Sequence, residues 1–110
     1  MDWTIEYYSD SVAEEILELP DGIVGRYLKL TEMMLVHGSN LGLPHTKSLS
    51  NGLFELRIKS KEGIARVFYG TRVGKRIIML HSFVKKSDKI PKNVMDVALK
   101  RLKEIEANDT

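Results

Sequence analysis

Hydrophobic and polar positions along this chain fall into helical stripes in its first third and strand-like alternation after residue 50. Trp3-Thr4-Ile5-Glu6-Tyr7-Tyr8 is β-branched and aromatic and predicts a first strand. Ser9 or Asp10 supplies an N-cap for a helix through about Leu19, with Glu14 and Glu15 near its positive end, and Pro20 interrupts it. From Asp21 to about His37 a second helix is predicted by Ile23, Tyr27, Leu30, Met34 and Leu35. Gly22 and Gly25 weaken its first turn, and Gly38 is a suitable stop. Residues 38–48 read as a loop by composition. Three strands follow at about 53–59, 64–70 and 76–84, joined by turns containing Lys61-Glu62-Gly63 and Thr71-Arg72-Val73-Gly74-Lys75. Pro91 opens a last helix whose stripe is Val94, Val97, Ala98, Leu102 and Ile105.

The predicted order is strand, two helices, three strands, helix. This is an α+β arrangement: a small, twisted, mainly antiparallel sheet with its helices packed on one face, so that their stripes are buried. The other face, or part of it, then stays open. No repeat, linker or low-complexity segment divides the chain, and its 110 residues suit one domain spanning 1–110.

With 43% apolar and 29% charged residues, the composition is that of an ordinary globular domain. No apolar run approaches the ~20 residues of a membrane-spanning helix. The start, Asp2-Trp3, has neither the basic segment nor the apolar core of a secretory signal, so a cytoplasmic setting and no membrane partner are expected. Without cysteine there is no disulfide or thiolate chemistry.

The net charge of +2 hides a strong polarity. Residues 1–44 carry two basic and eight acidic side chains, while residues 45–110 carry fifteen basic and seven acidic ones. A basic half of this kind attracts phosphate backbones without reading sequence. The bland alternative is a solvated, asymmetric surface.

Strand alternation sorts the cations. Arg57 and Lys59 share a face with Leu53 and Glu55, opposite Phe54, Leu56 and Ile58. Arg66 lies between Ile64 and Phe68, where its charge needs a carboxylate such as Glu55 or an anionic ligand. His81 is grouped with Met79, Phe83 and Lys85, and reads either as a structural histidine or as a base. Lys85-Lys86 marks the strand's exit, and Tyr69 and Phe83 belong to the core unless an open face lets them stack on a base. His37 and His45 flank the loop without metal-ligand spacing, so no metal site is predicted. A sheet presenting Arg57, Lys59, Arg66, Lys85 and Lys86 together is suited to a polyanion.

Gly52-Leu53-Phe54-Glu55-Leu56-Arg57, Arg66-Val67-Phe68-Tyr69, and Leu80-His81-Ser82-Phe83-Val84-Lys85-Lys86 followed by Pro91 carry a resemblance. In order and spacing they resemble the HigB-like, phage-derived branch of the RelE/ParE toxin superfamily, from about Leu49 to Arg101. The resemblance implies a RelE-like β-α-α-β-β-β-α fold and the toxin of a type II toxin–antitoxin pair. It implies a ribosome-dependent endoribonuclease that cuts mRNA in the A site, leaving a 2′,3′-cyclic phosphate and a 5′-hydroxyl, with no cofactor. It also implies a cognate helix-turn-helix, HigA-like antitoxin, with operator DNA reached only through that partner. Arg66 matches the arginine that contacts the scissile phosphate; Arg57 and Lys86 match further catalytic basic positions, and His81 is the one strand histidine available for proton transfer. Lys59, Lys85, Lys47 and Phe83 are the expected RNA contacts. The tail from Lys103 to Thr110 departs from some cleaving relatives in holding neither Tyr nor His. A ParE-like gyrase poison and an inactive, partner-binding member of the superfamily are the alternatives on the same scaffold.

Overall fold

The structure, a computed structural model, describes residues 2–87 and 89–108. Its elements are β1 (Thr4–Tyr7), α1 (Asp10–Leu17), α2 (Asp21–His37), β2 (Thr46–Ser50), β3 (Leu53–Ser60), β4 (Gly63–Arg72), β5 (Arg76–Val84) and α3 (Lys92–Asn108). They build a five-stranded mixed sheet in the order β1-β5-β4-β3-β2. β1 runs parallel to β5, and every other pair is antiparallel.

The helices begin where their sequences direct. Ser9 is the N-cap of α1, its hydroxyl accepting from the Val12 N–H. Pro20 holds an extended backbone, and its carbonyl accepts from the Ile23 and Val24 N–H groups to start α2. The stripe Ile23, Tyr27, Leu30 and Met34 is fully buried with Val12 and Ile16 of α1, against Leu56, Ile58, Ala65, Val67, Tyr69, Ile77 and Met79. Leu35, one position off that stripe, is exposed instead.

Packing of all helices on one face is corrected by the structure. α1 and α2 cover one face, and α3 covers part of the other through Ala98 and Leu102, packed on Leu53, Phe68, Ile78 and Leu80. The strands alternate two apolar sets at this end of the sheet, so both faces need cover. Gly70 makes the close approach possible: a Cβ there would come within 2.6 Å of Leu102 Cδ1. Arg101 fastens α3 by donating to the Leu80 carbonyl at 2.7 Å and lying 4.8 Å over the Tyr8 ring, and Tyr8 hydrogen-bonds Glu104.

The sheet also has one strand more than the pattern predicts. β2 falls partly within the stretch read as a loop, because an edge strand can be short and polar, and Lys47, Ser48 and Ser50 are exposed. Asn51-Gly52, both at positive φ, joins it to β3 in a tight hairpin. A second departure lies in β5. Its register with β4 passes from Phe68↔His81 to Tyr69↔Met79, leaving Leu80 as the extra residue of a bulge. His81 therefore faces α3 with Leu80 and Phe83, while Met79 enters the opposite core. None of the helices among the described residues is long and apolar enough to cross a membrane.

Candidate nucleic-acid interface

Helix α3 covers only one end of its face of the sheet. Beyond it, the strand register lines up side chains in rows. The Arg57 N–H donates to the His45 carbonyl at 2.8 Å, Arg57 pairs with Arg66, and Arg66 pairs with Phe83. One row, from the residue before β2 across β3, β4 and β5, thus reads His45, Arg57, Arg66, Phe83. In the next row Lys59 pairs with Ile64, whose carbonyl accepts from the Lys85 N–H at 2.7 Å. These rows floor a concave groove of about 610 Å³, lined by Arg26, Pro44, His45, Arg57, Lys59, Ile64, Arg66 and Lys85.

The electrostatics of this groove are unbalanced. Because the Arg57 N–H points outward to His45, Arg57 and Arg66 form the non-hydrogen-bonded kind of antiparallel pair, in which side chains approach most closely. Like charges directly opposite one another are destabilising unless something neutralises them. Arg66, only 6% exposed, has an ion pair with Glu55 at 3.5 Å and also donates to the Ala65 carbonyl at 3.2 Å. Burial is the main influence holding the Arg66 guanidinium below its ordinary pKa; Glu55 opposes this and Arg57 adds to it. Among the described residues Arg26, Arg57, Lys59 and Lys85 have no ion pair, and no carboxylate lines the groove.

The opposite end of the sheet makes the contrast. A smaller hollow of about 210 Å³ there also contains arginines, but each meets an acid. Arg76 contacts both oxygens of Glu6, at 2.7 and 3.0 Å, and Arg72 lies 3.6 Å from Glu106. Cations are compensated at that end and accumulated at the groove.

The structure brings four of the eight sequence-predicted site residues into the groove lining: Arg57, Lys59, Arg66 and Lys85. Phe83 adjoins them as the cross-strand partner of Arg66, stacked on Phe68 with ring centroids 5.7 Å apart. Lys47 shares the face, directly opposite Glu55 on the edge strand, but is exposed and outside the lining. Lys86, just past β5, is exposed and also outside it. His81 is apart from them under α3, its Nδ1 3.4 Å from Arg101 Nη1. Burial chiefly, and then Arg101, lower its pKa, with Glu15 opposing.

Two groove residues escape a sequence reading. Arg26 flanks the buried stripe of α2, and periodicity does not reveal that this flank meets the sheet edge. His45 immediately precedes β2, so its placement depended on recognising that strand. The Asn-Gly dipeptide at 51–52 was the available signal, since a hairpin there requires a strand on its N-terminal side. Among the described residues no group of three or more His, Asp and Glu side chains is placed to hold a metal ion.

Comparison with curated proteins yields no match. Comparison with protein families matches residues 14–103 to the family described as "Phage derived protein Gp49-like (DUF891)". That match spans both helical layers and every residue of the groove. The chain belongs to this phage-derived Gp49-like family, which is grouped with the RelE-like toxins of toxin–antitoxin systems.

Proposed function

We propose that this chain is a HigB-like toxin of a type II toxin–antitoxin pair, acting in the cytoplasm as an endoribonuclease that cuts mRNA on the ribosome. The observation that carries the reading is the facing pair Arg57–Arg66 in a groove that also holds Lys59 and Lys85 and, among the described residues, no carboxylate. An RNA phosphate between the two guanidiniums relieves their repulsion. It also meets the demand of the reaction, in which attack by a ribose 2′-oxygen builds negative charge on the phosphorus oxygens. Fixed cations aimed at that charge stabilise the transition state without a metal ion. Lys59 and Lys85 track the flanking backbone, and the half-buried Phe83 ring offers a stacking surface for a base beside Arg66.

The same reading expects a cognate HigA-like, helix-turn-helix antitoxin, through which alone operator DNA is contacted. The outer sides of α1 and α2 supply a surface for it. Leu17, Leu28, Leu35 and Val36 are exposed there among Glu14, Glu18 and Glu32. Large exposed apolar side chains rimmed by charge mark protein contact sites.

The test is induction of this chain alone in a bacterial host, with pulse-labelling of protein and DNA synthesis and mapping of mRNA 5′ ends. A rapid fall in translation with new, codon-phased mRNA ends is expected. Failing DNA synthesis over intact messages would instead identify a gyrase poison. No effect from well-folded protein would leave a binding module.

A further inference from the structure

The proposed cleavage requires a group that accepts the 2′-hydroxyl proton, and His81 lies half-buried against Arg101 of α3, outside the groove lining. His45 lines the groove, one strand from Arg57 and in the same row as the Arg57–Arg66 pair. Adjacent strands are about 4.8 Å apart, so a phosphate held between Arg57 and Arg66 is within reach of the imidazole. The main chain carrying His45 is well anchored. Its N–H donates to the Gly42 carbonyl at 3.0 Å, and its carbonyl accepts from Arg57. The next residue, Thr46, is 1% exposed, with its hydroxyl accepting from the Gly42 N–H at 2.9 Å. The imidazole itself makes no hydrogen bond or ion pair with the described residues. A fixed backbone with an uncommitted side chain is the arrangement a proton-transfer group needs.

We infer that His45 is the general base of this groove. The inference rests on the ribonuclease reading above. The His45 imidazole takes the proton from the 2′-hydroxyl, and the freed electron pair forms the O2′–P bond. The P–O5′ bond breaks with its electrons on O5′. Lys85, across the groove, donates the proton that O5′ needs; solvent then reprotonates Lys85 and removes the proton from His45. Among the described residues, the charged groups that line the groove with the imidazole are all cations: Arg57 and Lys59 from β3, Arg66 from β4, Lys85 after β5 and Arg26 from α2. A neutral imidazole has one ring nitrogen free to accept a proton.

The experiment is single-turnover cleavage by the purified full chain on ribosomes programmed with a defined mRNA, followed across pH. His45→Gln is expected to slow cleavage about 10²- to 10⁴-fold and to change the pH profile of the rate. Its melting temperature and ribosome binding should match the wild type. Added imidazole is expected to restore part of the rate to His45→Ala, which a merely structural role would not allow. A wild-type rate and pH profile in His45→Gln overturns the inference. If Arg57→Gln then still loses cleavage, the ribonuclease reading survives it. A wild-type chain that cuts no RNA on programmed ribosomes overturns both.

Discussion

Replacing Arg66 with alanine removes a cation from the groove, and the structure predicts that the fold suffers as well as the activity. The Arg66 and Glu55 side chains are each 7% exposed and 3.5 Å apart, and Glu55 Oε1 has no hydrogen bond among the described residues. Removing one partner of a buried ion pair leaves an uncompensated charge, at about 3–5 kcal/mol. Relief of the Arg57–Arg66 repulsion returns up to about 1 kcal/mol. The net expectation is a loss of about 2–4 kcal/mol, or roughly 10–25 °C in melting temperature for a domain of this size. Lys47, exposed and directly opposite Glu55, can swing inward and hold the loss toward the lower figure.

Urea denaturation of the wild type, Arg66→Ala, Lys47→Ala/Arg66→Ala and Glu55→Gln/Arg66→Ala measures these quantities. The Lys47 double variant should be the least stable. The Glu55→Gln double variant should recover most of the stability and none of the cleavage, because the transition-state cation is still missing. A loss below about 1 kcal/mol in Arg66→Ala would refute the buried-pair reasoning. Cleavage by Glu55→Gln/Arg66→Ala would show that Arg66 acts only on the fold. The practical consequence is that non-toxicity of Arg66→Ala alone does not identify a catalytic residue.

The remaining predictions concern the rest of the molecule. Leu102→Ala empties the contact between α3 and the sheet and should cost about 2–5 kcal/mol by urea denaturation, with RNA binding by the folded fraction unchanged. His81, whose folded pKa lies below the ordinary 6.5 mainly through burial, favours its neutral form in the native state. The unfolded chain therefore binds the proton first, and stability is lost as pH falls from about 6.5 toward the folded value. His81→Gln should flatten that part of the stability–pH curve. Lys59→Ala and Lys85→Ala should each reduce the salt dependence of binding to single-stranded RNA, by about 0.7 in the log–log slope. Lys86→Ala should leave that slope unchanged.

The elements of this fold are largely legible in the sequence because the signals that define them are local. Pro20, Gly38 and a 3.6-residue stripe bound α2 at Asp21–His37, as periodicity predicts. Alternation with intervening turns locates β3, β4 and β5 to within a few residues. The assignment of faces is less local, and there the reading fails in two ways. A helix stripe states that α3 must be buried but not on which side, and the decisive feature is a cross-element fit, Gly70 beneath Leu102. A single bulge at Leu80 shifts His81 from the Met79 side to the α3 side, because the side-chain period in a strand is two.

The candidate site shows the same limit in its charges. The sequence holds eight more basic than acidic side chains after residue 44, and that count alone does not separate Arg72 and Arg76 from Arg57 and Arg66. Register separates them. At one end of the sheet Glu6, from the parallel strand β1, and Glu106, from α3, reach Arg76 and Arg72 across long stretches of chain. At the other end α3 no longer covers the sheet, and the acid Glu55 is buried in its ion pair with Arg66. Arg57, Lys59 and Lys85 are left to converge there with His45. An anion site made in this way depends on which acids stay away as much as on which cations meet. Only the assembled sheet settles that: shift β3 by one residue against β4, and Arg57 and Lys59 would cross to the α2 side, where Tyr27 and Met34 fill the core.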